Sequence, residues 1–492
     1  MPGACSLPPY QDKPVPETDS PAQSFVFLTL RAPLLVAAIA LSAVALNLRP
    51  AFFDNDFEDL FIYRAGAGLG LKGESPYRTE AISALVAGQY PNYTSFIENC
   101  GFFLSPVAIV VFAPFAGLPW PAAKLAWSLL CFGGAALAVW KLPAFAADDG
   151  RADGWPRLGR LAVACALLWN PTTYISMVVA QTPLFLFTCV VLGEAAYRAG
   201  WRRAAGLLWA CAFIKPHLAL PLLPLAWFLG GWRRAAEVVA WVGGLTLLGC
   251  WVSTGSPWLT VDYLEYLDAW HKQVLFNRAE LNPQITSWNR LLIATGNPVV
   301  ELSTKTTLAG YVVWAALVAA RVRVASGLTP APLLAVITIG TLAVAGIVSG
   351  TLVGYAICGA CGVAQLWTAG SRPTRAWALA AAAAGSLVCC QVLGYEMVLL
   401  GLTAPHVLDL IAARRWGAAA VLGSGLMISS ITHDAFQTAT EIARLPPGVA
   451  AAVMATHCSV GTTLVAVAVL VFGWARVTPG TSAPSPASAT SP

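Results

Sequence analysis

The sequence predicts an all-α protein that crosses a membrane many times. Composition is the first reason, because 57% of the 492 residues are hydrophobic, only 11% are charged and the mean hydropathy is +0.67. A soluble globular domain carries about 25% charged residues. The second reason is that long apolar spans alternate with short basic turns. Since a spanning helix needs about 20 residues, we expect a bundle of about 12–14 transmembrane helices.

Polar segments frame this bundle. Residues 1–24 are rich in proline and are predicted to be a disordered cytoplasmic N-terminus, and 477–492 are predicted to be a disordered tail. The membrane domain then occupies 25–476 and includes two long hydrophilic segments, 49–101 and 253–305. The first apolar span runs into a charged loop without a small-residue cleavage site, so we interpret it as a retained helix rather than a signal peptide.

Arginines in the short turns predict which side of the membrane each loop faces. They cluster at 198–203, 233–234, 321–323, 372–375, 414–415 and 476. Loops that carry such an excess of Arg and Lys face the cytoplasm. If all these clusters do so, an even number of crossings separates each pair, and both long hydrophilic segments lie outside the cell.

One stretch between two arginine clusters has an unusual length. Residues 204–232 are too few for two full crossings and more than one crossing needs. An even number of crossings therefore requires a hairpin of two short helices, broken at Lys215–Pro216, since proline disrupts a helix. One long kinked helix is the alternative. Residues 102–118 leave a comparable choice between a spanning and a re-entrant segment.

The first outer loop contains a concentration of acids. Four carboxylates fall within six residues, at Asp54, Asp56, Glu58 and Asp59. Asp56, Asp59 and Tyr63 share one face of a predicted helix from about residue 56 to 69, which we expect to be an interfacial helix along the membrane surface. An anionic surface repels acids, so mere docking is a weak explanation for them. A catalytic role is favoured over a solvated flank.

Several other polar residues interrupt apolar sequence. Lys215 and His217 flank the proline break, and charge within a membrane is costly enough to suggest function. A lysine there suits a phosphate group, although it could also extend to the interface. Gln181 enters an apolar span, where a helix–helix contact is the alternative. Glu396 interrupts an apolar run and marks a membrane boundary or a polar cavity.

The second outer segment offers further candidates, and motifs for bound cofactors are missing from the sequence. Arg290, in the stretch NPQITSWNR with Gln284, is a candidate anion contact. The pair Cys358 and Cys361 lies in an apolar span and supplies too few ligands for a zinc site, which needs about four. No phosphate-binding glycine loop or metal-ligand spacing occurs in the sequence, so we expect no cofactor, no metal and no nucleic-acid partner.

Five segments follow one another in a recognisable order. They are DLFIYRAGAGLGLKGESPY, GFFLSPVAIVVFAPFAGLP, WNPTTYISMVVAQTP, AAGLLWACAFIKPHLALPLLPL and GYEMVLLGL. Together they resemble the GT-C membrane glycosyltransferases, and among them glycosyltransferase family 87 (DUF2029), over about residues 50 to 410. The family pattern has Tyr-Pro at Leu104–Ser105, Gly and Asn at Ala180 and Pro183, and Asp at Glu396.

The resemblance implies a transferase at the bacterial plasma membrane with an extracytoplasmic active site. It would take mannose or a pentose such as arabinofuranose from a polyprenyl-phosphate carrier and pass it to a glycan or glycolipid acceptor. The family register makes Asp59 the catalytic base, with Asp56 as the alternative. Lys215, and His217 or Arg290, would stabilise the departing phosphate.

The candidate substrate-binding set also includes Tyr63, Gln181, Gln284 and Glu396. Two other functions remain open from the sequence. Broken helices with charged residues also suit a transporter or a flippase. A polysaccharide polymerase or ligase would share a lipid-phosphate donor and a membrane setting.

Overall fold

The computed structural model describes most of the chain. The described residues are 58–89, 101–142, 167–273, 374–389, 394–431 and 442–472, with single residues between 41 and 49 and between 314 and 321. The chain divides into two units, Met1–Ala45 and Leu46–Pro492. Everything below concerns the second unit. The predictions for 1–24 and 477–492 lie outside the described residues.

Every regular element within the described ranges is a helix, and none of these residues forms a strand. The first seven α-helices are α1 (Glu58–Leu71), α2 (Thr79–Gln89), α3 (Pro106–Ala116), α4 (Trp120–Lys141, with a π-helical turn at Leu129–Gly133), α5 (Pro171–Val178), α6 (Pro183–Arg198) and α7 (Arg202–Cys211). The others are α8 (Pro216–Ala219), α9 (Leu222–Thr254), α10 (Leu259–Gln273), α11 (Arg375–Cys389), α12 (Ala404–Ala412), α13 (Trp416–Ser430) and α14 (Pro447–Phe472). Two 3₁₀ helices, Ala212–Ile214 and Gly394–Thr403, complete the set.

Among the described residues, the helices α4 and α9 are long and apolar enough to cross a membrane. The pair α5 and α6, bent by 113°, adds a third candidate span if it is counted as one. Large apolar side chains on α9 point outward, with Leu247 61% and Trp251 78% exposed, as expected for a surface that contacts lipid. The prediction of an all-α membrane protein is confirmed.

The chain between the arginine clusters breaks at Lys215–Pro216, where a break was predicted. Helix α7 continues through Ala212–Ile214 to Lys215, where the backbone (φ −117°, ψ 85°) leaves the helical region ahead of Pro216. Helix α9 then bends at Gly231, whose φ of 74° and ψ of −175° suit glycine alone. After that bend Arg234 lies 4.3 Å from the ring of Trp209 on α7, so the chain has returned alongside its first arm.

Helix α3 is too short to span a bilayer by itself. Its 11 residues reach about 16 Å at 1.5 Å per residue. At its beginning the Ser105 N–H donates to the carbonyl of Ile214, next to the Lys215 break. At its end the Arg64 guanidinium donates to the carbonyl of Phe115 (2.8 Å) and to that of Leu118 (2.5 Å), in the turn that follows the helix. These lengths and contacts favour the re-entrant alternative for 102–118.

Helix α1 exists where a helix was predicted, but its surroundings differ. None of residues 59–70 is exposed, and Leu60 and Tyr63 are fully buried. The helix packs so closely against α3 and the segment before it that a Cβ at Gly66 would lie 2.2 Å from the Phe102 ring, and one at Gly70 would lie 2.9 Å from Ile109. Asp59 is therefore buried rather than part of a solvated flank. That α1 lies along the membrane surface stays a prediction.

Candidate active site

Five polar side chains from distant parts of the chain form one buried hydrogen-bonded series. Gln181 is its centre, because its amide NH₂ donates to the Asp59 carboxylate. Its carbonyl oxygen accepts from Lys215 Nζ at 2.9 Å and from the Tyr63 hydroxyl at 3.2 Å. Lys215 Nζ also pairs with the Glu396 carboxylate at 2.8 Å. Asp59 and Gln181 are 9% and 3% exposed, and Lys215 and Glu396 are 2% and 3% exposed.

The bonds of this series are mutually consistent. An amide has a donating end and an accepting end, and here the NH₂ group faces a carboxylate while the oxygen faces an ammonium and a phenol. Turning the Gln181 amide over would place like groups against each other on both sides. The series therefore fixes the orientation of Gln181 and, through it, that of the Asp59 carboxylate.

Helix α1 places Asp59 and Tyr63 together. Asp59 lies in the first turn, where the unpaired N–H groups and the helix dipole favour a negative charge. Tyr63 follows four residues later, on the same face. The Tyr63 ring packs against Phe112 at 4.9 Å and Phe103 at 5.9 Å, so aromatic neighbours hold its hydroxyl toward Gln181.

The end of α5 places Gln181. The Gln181 N–H donates to the Ser176 carbonyl at 2.9 Å and the Ala180 N–H to the Met177 carbonyl at 3.2 Å, which together form a Schellman motif. Ala180 occupies its left-handed position with φ of 55°. Glycine is the usual residue there, and the family pattern has glycine at this position. Trp127 Nε1 donates to the Ala180 carbonyl at 3.1 Å and holds the turn in place.

Ser105 stabilises the break that places Lys215. Its hydroxyl donates to the Phe213 carbonyl at 2.7 Å and its N–H to the Ile214 carbonyl at 3.1 Å. These carbonyls lose helical partners because Pro216 has no N–H and ends the first arm. The Phe103 ring lies 5.7 Å from Lys215 Nζ, within the range of a cation–π contact.

The structure brings five of the nine predicted site residues together: Asp59, Tyr63, Gln181, Lys215 and Glu396. His217 lies two residues after Lys215, half-buried in the short helix α8. Asp56, Gln284 and Arg290 lie outside the described residues. No group of three or more metal-ligating side chains occurs in the part of the chain that the structure describes.

Three contributors to the site were not predicted: Phe103, Ser105 and Trp127. Phe103 and Ser105 lie at or next to Leu104–Ser105, where the family pattern has Tyr-Pro, so that pattern was the available signal. Ser105 stands where the family often has proline, which could not donate an N–H to Ile214. Trp127 gave no signal, because one tryptophan in an apolar helix does not reveal which carbonyl it reaches.

A second buried ionic cluster lies at the other end of α6. Glu194, fully buried, accepts from Arg234 and, at 3.2 Å, from Arg375. The Arg234 guanidinium lies between the rings of Tyr197 (4.0 Å) and Trp209 (4.3 Å). Roughly 16 Å of helix separates Pro183, beside the Gln181 series, from Glu194 at 1.5 Å per residue. The two clusters therefore occupy opposite ends of one helix.

Comparison with known proteins identifies the family. A sequence model of glycosyltransferase family 87 matches residues 102–349, half of the 492-residue chain. The chain belongs to glycosyltransferase family 87. The family 87 match includes Gln181 and Lys215, while Asp59 precedes it and Glu396 follows it. Neither a curated protein nor a solved structure matches the chain.

Membership in family 87 makes the protein a glycosyltransferase, which uses a sugar donor and an acceptor. Transfer of a sugar between a donor and an acceptor requires groups that orient two substrates. The buried series supplies a carboxylate at Asp59, an amide at Gln181 and an ammonium at Lys215. These groups come from three separate helical segments that the aromatic residues hold in fixed positions.

Proposed function

We propose that the protein transfers a sugar from a polyprenyl-phosphate carrier to a glycan or glycolipid acceptor, with Asp59 as the catalytic base. The observation that carries this proposal is the buried connection from the Asp59 carboxylate through Gln181 to Lys215. A base and a cation lie on opposite sides of one amide. A reaction in which one group accepts a proton and another stabilises a released anion would use such an arrangement.

Asp59 would act on the acceptor. As the acceptor oxygen bonds to the anomeric carbon, its proton passes to the carboxylate and the bond from that carbon to the phosphate oxygen breaks. Displacement from the opposite face inverts the anomeric carbon. A positioned general base contributes typically about 10²–10⁴-fold to a rate. Gln181 holds one carboxylate oxygen of Asp59, which fixes the direction from which the acceptor hydroxyl approaches.

Lys215 would stabilise the phosphate that leaves with the bonding electrons. An ammonium is a point charge that suits a phosphate, and stabilisation is strongest where water is excluded. Glu396 balances this charge at 2.8 Å and so keeps Lys215 in position before the donor binds. When the donor is bound, its negatively charged phosphate also balances the charge of Lys215. The donor arrives already activated as a phosphate ester, so the reaction needs no nucleotide site.

The positions of the arginines support an extracytoplasmic site. Arg234 and Arg375 meet at Glu194, beside the turn that contains Arg198 and Arg202. Such arginine-rich turns mark the cytoplasmic face of a membrane protein. The Gln181 series lies at the opposite end of α6. In this proposal, as the family resemblance implies, the protein lies in the plasma membrane of a bacterium and uses its donor on the outer side.

The test is transfer by the full chain in lipid nanodiscs, with radiolabelled polyprenyl-phosphate mannose and polyprenyl-phosphate arabinofuranose supplied as donors and a membrane glycolipid extract as acceptor. Asp59→Asn removes the base and keeps the shape, so it should lower kcat by about 10²-fold or more. Asp56→Asn is the matched control and should retain transfer. Both variants should elute as the wild-type protein does in size-exclusion chromatography.

Unchanged transfer by both variants would remove the first-loop carboxylates from the mechanism. Loss with Asp56→Asn alone would move the base to Asp56. Movement of the intact labelled lipid between leaflets, without transfer of its sugar, would instead indicate a flippase.

A further inference from the structure

A second polar cleft lies apart from the Asp59–Gln181–Lys215 series. It encloses about 590 Å³ between the chain after α1 and the beginning of α10. Ligand-binding clefts commonly measure roughly 300–1,000 Å³. Its lining includes Glu74, Tyr77, Arg78, Asp262, Glu265 and Tyr266. The cleft is therefore large enough for a small polar ligand.

Two tyrosines, Tyr77 and Tyr266, line this cleft, and Tyr263 packs beside them. The ring of Tyr77 packs 5.5 Å from that of Tyr263 and 5.9 Å from that of Tyr266. Burial raises the pKa of the Tyr77 and Tyr263 phenols, so both remain neutral near pH 7. The rim is fixed because the Ser253 hydroxyl donates to the Glu74 carbonyl at 2.8 Å. The cleft thus combines a rigid aromatic lining with a polar rim.

A short segment connects the cleft to the proposed catalytic site. The Tyr77 hydroxyl donates to the Leu104 carbonyl at 3.0 Å, and its ring packs 5.9 Å from Phe102. The residue between them, Phe103, packs against Tyr63 and lies 5.7 Å from Lys215 Nζ. Consecutive Cα atoms are about 3.8 Å apart, so a single turn of chain joins the two sites. The segment 102–104 therefore contacts both the cleft and the proposed catalytic site.

The charges of the rim select the kind of ligand. Glu74, Asp262 and Glu265 carry carboxylates, and Arg78 carries the opposing charge among the lining residues. This excess of negative charge disfavours a phosphate, so the cleft does not suit the donor's headgroup. Carboxylates accept hydrogen bonds from hydroxyl groups and a guanidinium donates them, while aromatic rings pack against apolar C–H faces. A neutral saccharide offers all three features.

We propose that this cleft binds the saccharide end of the acceptor and presents one of its hydroxyl groups to Asp59. The proposal rests on the proposed glycosyl transfer, and it adds the position and the chemistry of the acceptor subsite. Asp262, Glu265 and Tyr266 would determine which acceptors the protein accepts, while the Gln181 series carries out the reaction.

The experiment measures binding and transfer separately. Saturation-transfer NMR is recorded on the full chain in nanodiscs with methyl α-mannopyranoside and methyl α-arabinofuranoside as probes. Asp262→Asn/Glu265→Gln and Tyr266→Ala should each reduce the glycoside signal and raise the KM for a glycolipid acceptor by about tenfold or more, which corresponds to about 1.4 kcal/mol. The KM for the donor and the slow hydrolysis of the donor in the absence of acceptor should not change.

Two controls keep this proposal distinct from the proposed reaction. Glu80→Gln neutralises an exposed carboxylate on α2 that does not line the cleft, and it should leave binding and KM as they are. Asp59→Asn should abolish transfer and preserve the glycoside signal. If Asp59→Asn transfers normally, the proposed reaction fails while the cleft can still bind saccharides. Unchanged glycoside signals and an unchanged acceptor KM in the cleft variants overturn the acceptor subsite. The subsite is also overturned if calcium ions, by occupying the carboxylates, abolish the glycoside signal while the cleft substitutions do not.

Discussion

The ion pair between Lys215 and Glu396 permits a quantitative prediction. The two charged atoms are 2.8 Å apart and both side chains are almost completely buried. At an effective dielectric constant of 20, the Coulomb attraction at this distance is about 6 kcal/mol. Desolvation of the two ions consumes much of that attraction. Lys215→Met leaves the Glu396 carboxylate without this cation, so we expect the free energy of unfolding to fall by about 3–5 kcal/mol.

A double-mutant cycle separates the pair from the loss of each side chain. Glu396→Gln in the Lys215→Met background removes the stranded charge, and we expect a coupling energy of about 3 kcal/mol between the two positions. The assay is reversible unfolding of the full chain in mixed micelles, followed by tryptophan fluorescence. Lys72→Met, at an exposed lysine, is the matched control and should change stability by less than about 0.5 kcal/mol.

A coupling energy below about 1 kcal/mol would refute this reasoning, because solvent-exposed ion pairs contribute that little. The result would mean that water reaches Lys215 and Glu396 in the folded protein. It would also remove the argument that a water-excluded lysine stabilises the leaving phosphate.

Three other substitutions test separate features, and the first two also test how the site is held. Gln181→Glu places a second carboxylate against Asp59, so transfer should fall by about 10²-fold through a higher pKa of the base, seen as a pH–rate profile displaced to higher pH. Ala180→Gly removes the left-handed backbone strain at φ 55° and should raise the free energy of unfolding by about 1 kcal/mol. Ala195→Gly inside α6 is the control and should lower the free energy of unfolding by about 0.5–1 kcal/mol. Equal effects of the two substitutions would contradict the idea that Ala180 is strained. Glu194→Gln leaves two arginines without their carboxylate and should cost about 3–5 kcal/mol of stability with little change in the donor's KM, and an altered donor KM would connect that cluster to substrate binding.

The sequence carried enough information for several elements. The break at Lys215–Pro216 was predictable, since proline lacks the N–H that would continue the first arm. The helix that begins near Asp59 was predictable from its spacing, although α1 begins at Glu58. The environment of α1 was not predictable. Its burial depends on Phe102 and Ile109, which approach glycines that any helix pattern would tolerate.

The departures from the family pattern gained a meaning only in the structure. Ala180 differs from the family's glycine, and the sequence could not show that this residue ends α5 in the left-handed conformation. Ser105 stands where the family has proline, and its hydroxyl and N–H donate to the carbonyls of Phe213 and Ile214. Each role depends on a backbone conformation or on a distant partner.

The class of the protein and its candidate residues follow from the amino-acid sequence alone. A chain of such apolar content requires a membrane environment, and charged residues are costly enough there that Asp59, Lys215 and Glu396 were conspicuous. That these residues meet on Gln181 became evident only once the chain was folded. They lie on segments far apart in the chain, and contact between such segments depends on side-chain packing among α1, α3 and α6. No periodicity or local spacing along the chain encodes that packing.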